Sequence, residues 1–270
     1  MKNLYLFSIL CCLVFIQCTP KMFDAQREQE YISADSTLWA EYEAEGERLA
    51  ELYAGNEDSL YIKAVELEAY ADLKNKKLAI EYSATPSGLR RCFMLRLDIE
   101  KDTLQNILRK LPRDLRKSEC AKAIKEHIVT KQIDVGMEFF LIDAVNADGH
   151  KIAWNEYRNK NILLIYGGLG CMGRSGRREL AALREEYIDD NLAIVVYYSV
   201  STLEELKDFR NQYSDDYIFI SELMPDYSPF KIKYGVQSTP TCFVIDKSGT
   251  VVLKTVGFDV QQVKEQIDNQ

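Results

Sequence analysis

After about residue 133 the chain alternates short aliphatic runs with amphipathic segments, and few folds accept that order. Residues 139–145 read as a strand, and Asp148-Gly149 gives a turn signal. Residues 161–166 (Asn-Ile-Leu-Leu-Ile-Tyr) carry Ile or Leu at four of six positions, so both faces of that strand expect burial. A helix over 177–187, a buried strand over 192–200, a helix over 202–213 and a short strand over 217–220 follow. Strands at 241–246 and 251–257 flank the turn Asp246-Lys247-Ser248-Gly249, and a helix over 260–267 closes the chain. Strands alternating with helices, then a terminal hairpin and helix, imply an α/β fold: a mixed sheet with helices on both faces.

Upstream the periodicity is helical and strongly charged. Leu38, Tyr42, Leu49 and Leu52 recur at helical spacing with Glu and Lys between them, and 61–70 continues the pattern. Pro86 opens a helix containing Leu89, Cys92, Phe93 and Leu97; another over 101–111 stops at Pro112; Ser118 caps a last one reaching about 130. Four or five antiparallel helices joined by short loops result, with no metal, phosphate or catalytic motif. The chain thus divides into 1–18, a helical domain over 19–132, and an α/β domain over 133–270.

The first segment is a targeting signal. Lys2 precedes an apolar run of about 13 residues, too short to span a bilayer as a helix but suited to a signal-peptide core. It ends at Phe15-Ile16-Gln17-Cys18, which resembles a bacterial lipoprotein signal, in which the cysteine carries the lipid. Gln17 departs from the small residue usual before that cysteine, and an ordinary cleaved signal is the alternative; either implies export. Cys92, Cys120, Cys171 and Cys242 would then lie where disulfides are permitted. Cys92 and Cys120, on neighbouring helices, read as buried thiols, with a structural disulfide as the alternative.

Composition removes several functions. A net charge of −8 and no Lys/Arg-rich face argue against nucleic acid. The two histidines, His127 and His150, sit apart, and no Cys or His cluster has zinc spacing, so no metal or other cofactor is expected. The 16 Tyr and 11 Phe fall mostly on apolar faces and read as core. Acidic runs such as Glu41-Tyr42-Glu43-Ala44-Glu45 read as a solvated helix face, with partner binding as the alternative.

Two stretches carry chemistry. Tyr166-Gly167-Gly168-Leu169-Gly170-Cys171-Met172-Gly173-Arg174-Ser175 follows a buried strand and opens a helix; Tyr234 to Asp246 contains Thr239-Pro240-Thr241-Cys242-Phe243. The glycines spell G-x-G-x-x-G, yet the next strand ends Val196-Tyr197-Tyr198-Ser199 without the acid a dinucleotide ribose needs, so no nucleotide is expected. They read instead as relaxed packing or a flexible loop. The second stretch resembles the "YGV-x-x-x-P-T-x-F-x-I-D-x-x-G" segment of the thioredoxin-like TlpA/ResA family. By that resemblance the fold is a thioredoxin-like mixed sheet, Pro240 is cis and lies against the active site, and Cys171 matches the first cysteine of W-C-x-x-C. Arg174 stands where the second belongs. The helical part also looks like the portion preceding such domains in many exported lipoproteins of Bacteroidetes-type bacteria.

Sulfur at a helix start meets unpaired N–H groups and the positive end of the dipole, both favouring thiolate. Cys171 is therefore the nucleophile candidate and Arg174 a candidate thiolate stabiliser, with Thr239 and Pro240 forming the substrate groove. Exchange passes through a mixed disulfide that a second thiol resolves, and Arg174 cannot do that. The preceding Trp is Gly170, and Ile165 stands where thioredoxins bury an acid. Cys242 reads as a small buried hydrophobe rather than a resolving thiol. A peroxiredoxin frame is absent, since Leu164 and Gly168 occupy its Pro and Thr/Ser positions. Two functions remain: monothiol exchange with protein or peptide thiols and disulfides of the cell envelope, from a lipid anchor facing the periplasm, or a non-redox module holding an extended peptide in the groove.

Overall fold

The computed structural model describes residues 22–187, 192–213 and 217–269. The expected signal and Cys18 lie outside them. The described chain opens with α1 (Ala25–Leu52), α2 (Glu57–Glu81), α3 (Pro86–Met94), α4 (Lys101–Lys110) and α5 (Glu119–Val129). Most starts have a visible cause. The Asp24 carboxylate accepts from the N–H groups of Gln26 and Arg27, Asn56 from Ser59, Thr85 from Gly88 and Ser118 from Ala121. Each satisfies helix-end donors that would otherwise go unpaired. Pro86 occupies the first turn of α3, where its missing N–H costs nothing.

The remaining elements are β1 (Val145–Asn146), β2 (Asn161–Tyr166), α6 (Gly173–Glu186), β3 (Leu192–Tyr197), α7 (Leu203–Tyr213), β4 (Ile218–Ser221), α8 (Pro229–Lys233), β5 (Thr241–Ile245), β6 (Val251–Val256) and α9 (Val260–Asp268). The strands form one mixed sheet in the order β1-β4-β3-β2-β5-β6. β2, β3 and β4 run parallel, while β5, β6 and β1 are antiparallel to their neighbours. β2 is central and every residue of it is buried. Leu163, Leu164 and Ile165 are wholly excluded from solvent, each contributing about 1.5–3 kcal/mol of apolar burial.

Helices cover one face with Leu180, Leu183, Leu206, Val263 and Ile267. The other face is covered by Ile133, Ile142, Phe230, Tyr234 and Val236. Helix α8 had no counterpart in the sequence reading, and it is the wedge of the molecule. Its Phe230 stacks on Tyr197 at 4.0 Å between ring centres, while its Ile232 belongs to the core of the helical layer.

The expected strand over 139–145 is reduced to Val145 and Asn146. Its backbone groups are taken one by one instead of by a ladder. The Tyr234 hydroxyl donates to the Phe140 carbonyl (2.7 Å), the Trp154 indole N–H to that of Ile142 (2.8 Å), and the Phe139 N–H reaches Gly249 (2.9 Å). Partners drawn from three separate parts of the chain thus replace a continuous strand ladder along this segment. Helix α6 begins at Gly173, earlier than expected, and β3 stops at Tyr197.

Arg96 joins the helical layer to the sheet. It is 2 % exposed, and its guanidinium donates to the carbonyls of Phe93 (3.1 Å), Lys231 (2.8 Å) and Val236. Beside it the Leu97 N–H donates to the Gln237 side-chain oxygen (3.1 Å), whose amide donates to the Asp98 carboxylate.

Candidate functional site

The site forms where the end of β2 meets the start of β5. After Tyr166 the chain turns through Gly167 (φ +53°) and Gly168 (φ +74°), left-handed conformations that glycine adopts without steric cost. The Gly167 N–H donates to the Tyr197 carbonyl at 2.7 Å, which fixes the turn to the end of β3. A Cβ on Gly168 would lie 2.6 Å from the Pro240 nitrogen and 2.9 Å from its Cα. Gly168 is therefore set by close backbone approach, and the reading of these glycines as relaxed packing is corrected at this position.

The Thr239–Pro240 peptide is cis. Pro240 is buried and its carbonyl accepts from the Gly257 N–H at 2.8 Å, whereas Thr239 is exposed. Cys171 is exposed too, and its Sγ lies 3.8 Å from Thr239 Oγ1, so either can donate to the other. Cys171 thus stands beside the residue preceding Pro240.

The sulfur is not within the helix. Cys171 occupies the turn ahead of α6, whose cap residue Met172 makes no side-chain capping bond. The turn is closed by the Met172 N–H donating to Gly168 O (3.1 Å) and by an arginine the sequence reading passed over. Arg177 donates to the carbonyls of Leu169 (3.1 Å) and Gly170 (3.4 Å), the two residues before Cys171. Arg174 is exposed, and among the described residues it has no hydrogen-bond or ion-pair partner. Only the arginine cluster itself hinted at Arg177; spacing alone could not say which member turns back. Behind the turn, Tyr198 stacks on Phe209 at 4.0 Å, and burial together with Tyr213 holds its hydroxyl above the ordinary tyrosine range.

The other described cysteines are free thiols in the interior. Burial pushes Cys242 and Cys92 up to about 12 and Cys120 up to about 11. Cys92 and Cys120 donate to the carbonyls of Ala79 (3.2 Å) and Leu89 (3.4 Å) and form no disulfide. Ile165 is fully buried in β2, opposite Cys242 in β5. Among the described residues no group of three His, Cys, Asp or Glu side chains could hold a metal ion, and no helix is long and apolar enough to cross a membrane.

No family model matches the chain. The thiol-disulfide oxidoreductases ResA of Bacillus thuringiensis and Bacillus anthracis are each 26 % identical to it over 141 residues, covering 51 % of this chain and 77 % of theirs. Among solved structures, the thioredoxin domain of a thiol-disulfide oxidoreductase from Bacteroides vulgatus aligns over 51 % of this chain and 98 % of its own, at 16 % identity and a TM-score of 0.42. A thiol-disulfide oxidoreductase from Bacteroides fragilis aligns over 49 % and 98 %, at 17 % identity and a TM-score of 0.41. The half of this chain that carries the sheet has a thioredoxin-like mixed sheet and is similar in sequence to thiol-disulfide oxidoreductases of the TlpA/ResA type.

Proposed function

We propose that the protein performs monothiol exchange in the cell envelope. Cys171, as thiolate, attacks one sulfur of a protein or peptide disulfide; the Cys171–S bond forms and the other half leaves as a thiolate. An external thiolate then attacks the mixed disulfide, releases Cys171, and carries the bound sulfur away as a new disulfide, so electrons balance without a cofactor. The observation that carries this is one exposed thiol 3.8 Å from the hydroxyl of Thr239, with the other described cysteines buried. Among the described residues Cys171 is the one exposed thiol, so the second step is assigned to an external thiol. Thr239 and Pro240 would seat the substrate chain. Arg174 is retained as a thiolate stabiliser only through its exposed charge near the turn.

Oxidised glutathione followed by intact-mass measurement tests the proposal. The expected result is one glutathione adduct on the native protein, reversed by added thiol and absent from Cys171→Ser. An adduct that persists in Cys171→Ser refutes it.

Arg174 in the place of a resolving sulfur, together with an exposed Thr239, favours a second reading: a module that binds extended peptide without redox turnover. Peptide capture would then survive Cys171→Ser and fail for Pro240→Ala. Division into 1–18, 19–132 and 133–270, export, and lipid anchoring through Cys18 towards the periplasm belong to the same proposal. Radiolabelled palmitate on the native chain but not on Cys18→Ser is the expected result, and equal labelling refutes the anchor.

A further inference from the structure

Helix α2 has two apolar faces where a surface helix needs one. Ala71, Asn75 and Ala79 are buried on the inner one. On the opposite side Ile62, Val65, Ala69 and Leu73 recur at steps of three and four residues, and all four are exposed. Ile62 is 56 % exposed and Val65 and Leu73 46 % each, with Tyr61 and Tyr70 beside them at 71 % and 55 %. Contiguous apolar surface on a helix without a neighbour marks a contact site.

Charge says what fits there. The outer end of the α1–α2 hairpin, residues 41–68, holds nine acidic residues against two basic ones. Residues 69–81, the inner half of α2, hold Lys74, Lys76 and Lys77 against Asp72 and Glu81. Two α2 helices lying parallel would bring both acidic ends together. Lying antiparallel, each acidic end meets the lysine half of the other, and Ile62 of one copy faces Leu73 of the second while Val65 lies near Ala69 and Tyr70. A two-fold contact demands this kind of self-complementarity, in which each half of one patch matches the other half of its copy.

We propose that the outer face of α2 is a self-association surface, on which two copies pair antiparallel through Ile62, Val65, Ala69 and Leu73. Opposite charge along the helix sets the direction. The thiol site plays no part in the argument, so this inference stands or falls separately from the exchange reaction.

The test is the mass of the full chain in a mild nonionic detergent, by light scattering and sedimentation velocity over a range of concentrations. A dimer is expected for the native chain. The pair Ile62→Asp with Leu73→Asp should be monomeric with unchanged circular dichroism, since both positions are on the surface. Lys74→Glu with Lys77→Glu should weaken the dimer roughly tenfold, and adding Glu57→Lys with Asp58→Lys, which face them in this register, should restore it. A native chain monomeric at every concentration overturns the proposal, as does a dimer unaffected by the two aspartates. Flotation of a monomeric native chain with phosphatidylglycerol vesicles, lost in the aspartate variant, would assign the face to a membrane and also overturn it.

Discussion

Replacing Arg96 with Met tests whether the helical layer holds the segment that leads into Thr239 and Pro240. Arg96 is a buried cation that donates to three carbonyls, at Phe93, Lys231 and Val236. Burial draws it from 12.5 down to about 10, which disfavours the charged form by roughly 3 kcal/mol. It therefore stays protonated at neutral pH, and its bonds carry a large burial cost. Methionine removes that cost together with the bonds. The Phe93 and Lys231 carbonyls keep backbone partners in Arg96 N and Val236 N, so Val236 O is the acceptor left stranded. One stranded buried acceptor costs about 1–3 kcal/mol, and relief of the buried charge offsets part of it. The expected net loss is thus about 1–2 kcal/mol for Arg96→Met, and more for Arg96→Ala, which also leaves a cavity. Urea unfolding gives the stability. Amide exchange at Gln237 and Ser238 gives the local effect, which should rise beyond the global change. Native stability with native exchange at those amides would refute the claim that Arg96 braces the segment.

Gly168→Ala must push a Cβ into the Pro240 backbone and hold φ near +74°; about 2–4 kcal/mol of stability should be lost, with slower alkylation of Cys171. Gly173→Ala, at φ +64° with nothing within 4 Å, should lose only the conformational cost of about 1–2 kcal/mol, and equal losses at the two sites would refute the packing argument. His127 is 2 % exposed, and burial, then the charges of Arg96 and Lys101, push it down to about 4. Its folded value lies below the unfolded 6.5, so stability is full above pH 6.5 and is lost as pH falls through about 4, by up to roughly 3 kcal/mol. His127→Leu should flatten that part of the pH–stability curve; an unchanged slope would refute the assignment.

Much of this architecture is written locally. Asn161 to Tyr166 pairs with β3 and β5 where its aliphatic run predicted a strand buried on both sides. Asn56, Thr85, Ser118 and Asp259 cap helices through side-chain oxygens that can be recognised within four residues of sequence. The segment before β1 failed for the opposite cause. Its apolar run suits a strand, but Trp154 and Tyr234 reach its carbonyls from elsewhere in the chain, and no local pattern announces a side chain arriving from 94 residues away.

The candidate site divides along the same line. A Thr-Pro-Thr before a short apolar run is a local signal, and the turn after β2 approaches Pro240 through Gly168. The reading fails at Gly168 because a glycine required by a distant backbone looks the same in sequence as one that packing has abandoned. Gly168 and Gly173 sit five positions apart with nearly equal φ, yet one lies against Pro240 and the other against nothing. The arginines show the same blindness. Arg174 was singled out for standing in a cysteine's place, while Arg177, one turn on, ties down the carbonyls of Leu169 and Gly170. A helix turns about 100° per residue, so three positions decide which side chain points back over the turn and which points into water. The cradle of Cys171 is thus made of backbone held by Gly168, Pro240 and Arg177, and no side chain at position 174 is needed to build it.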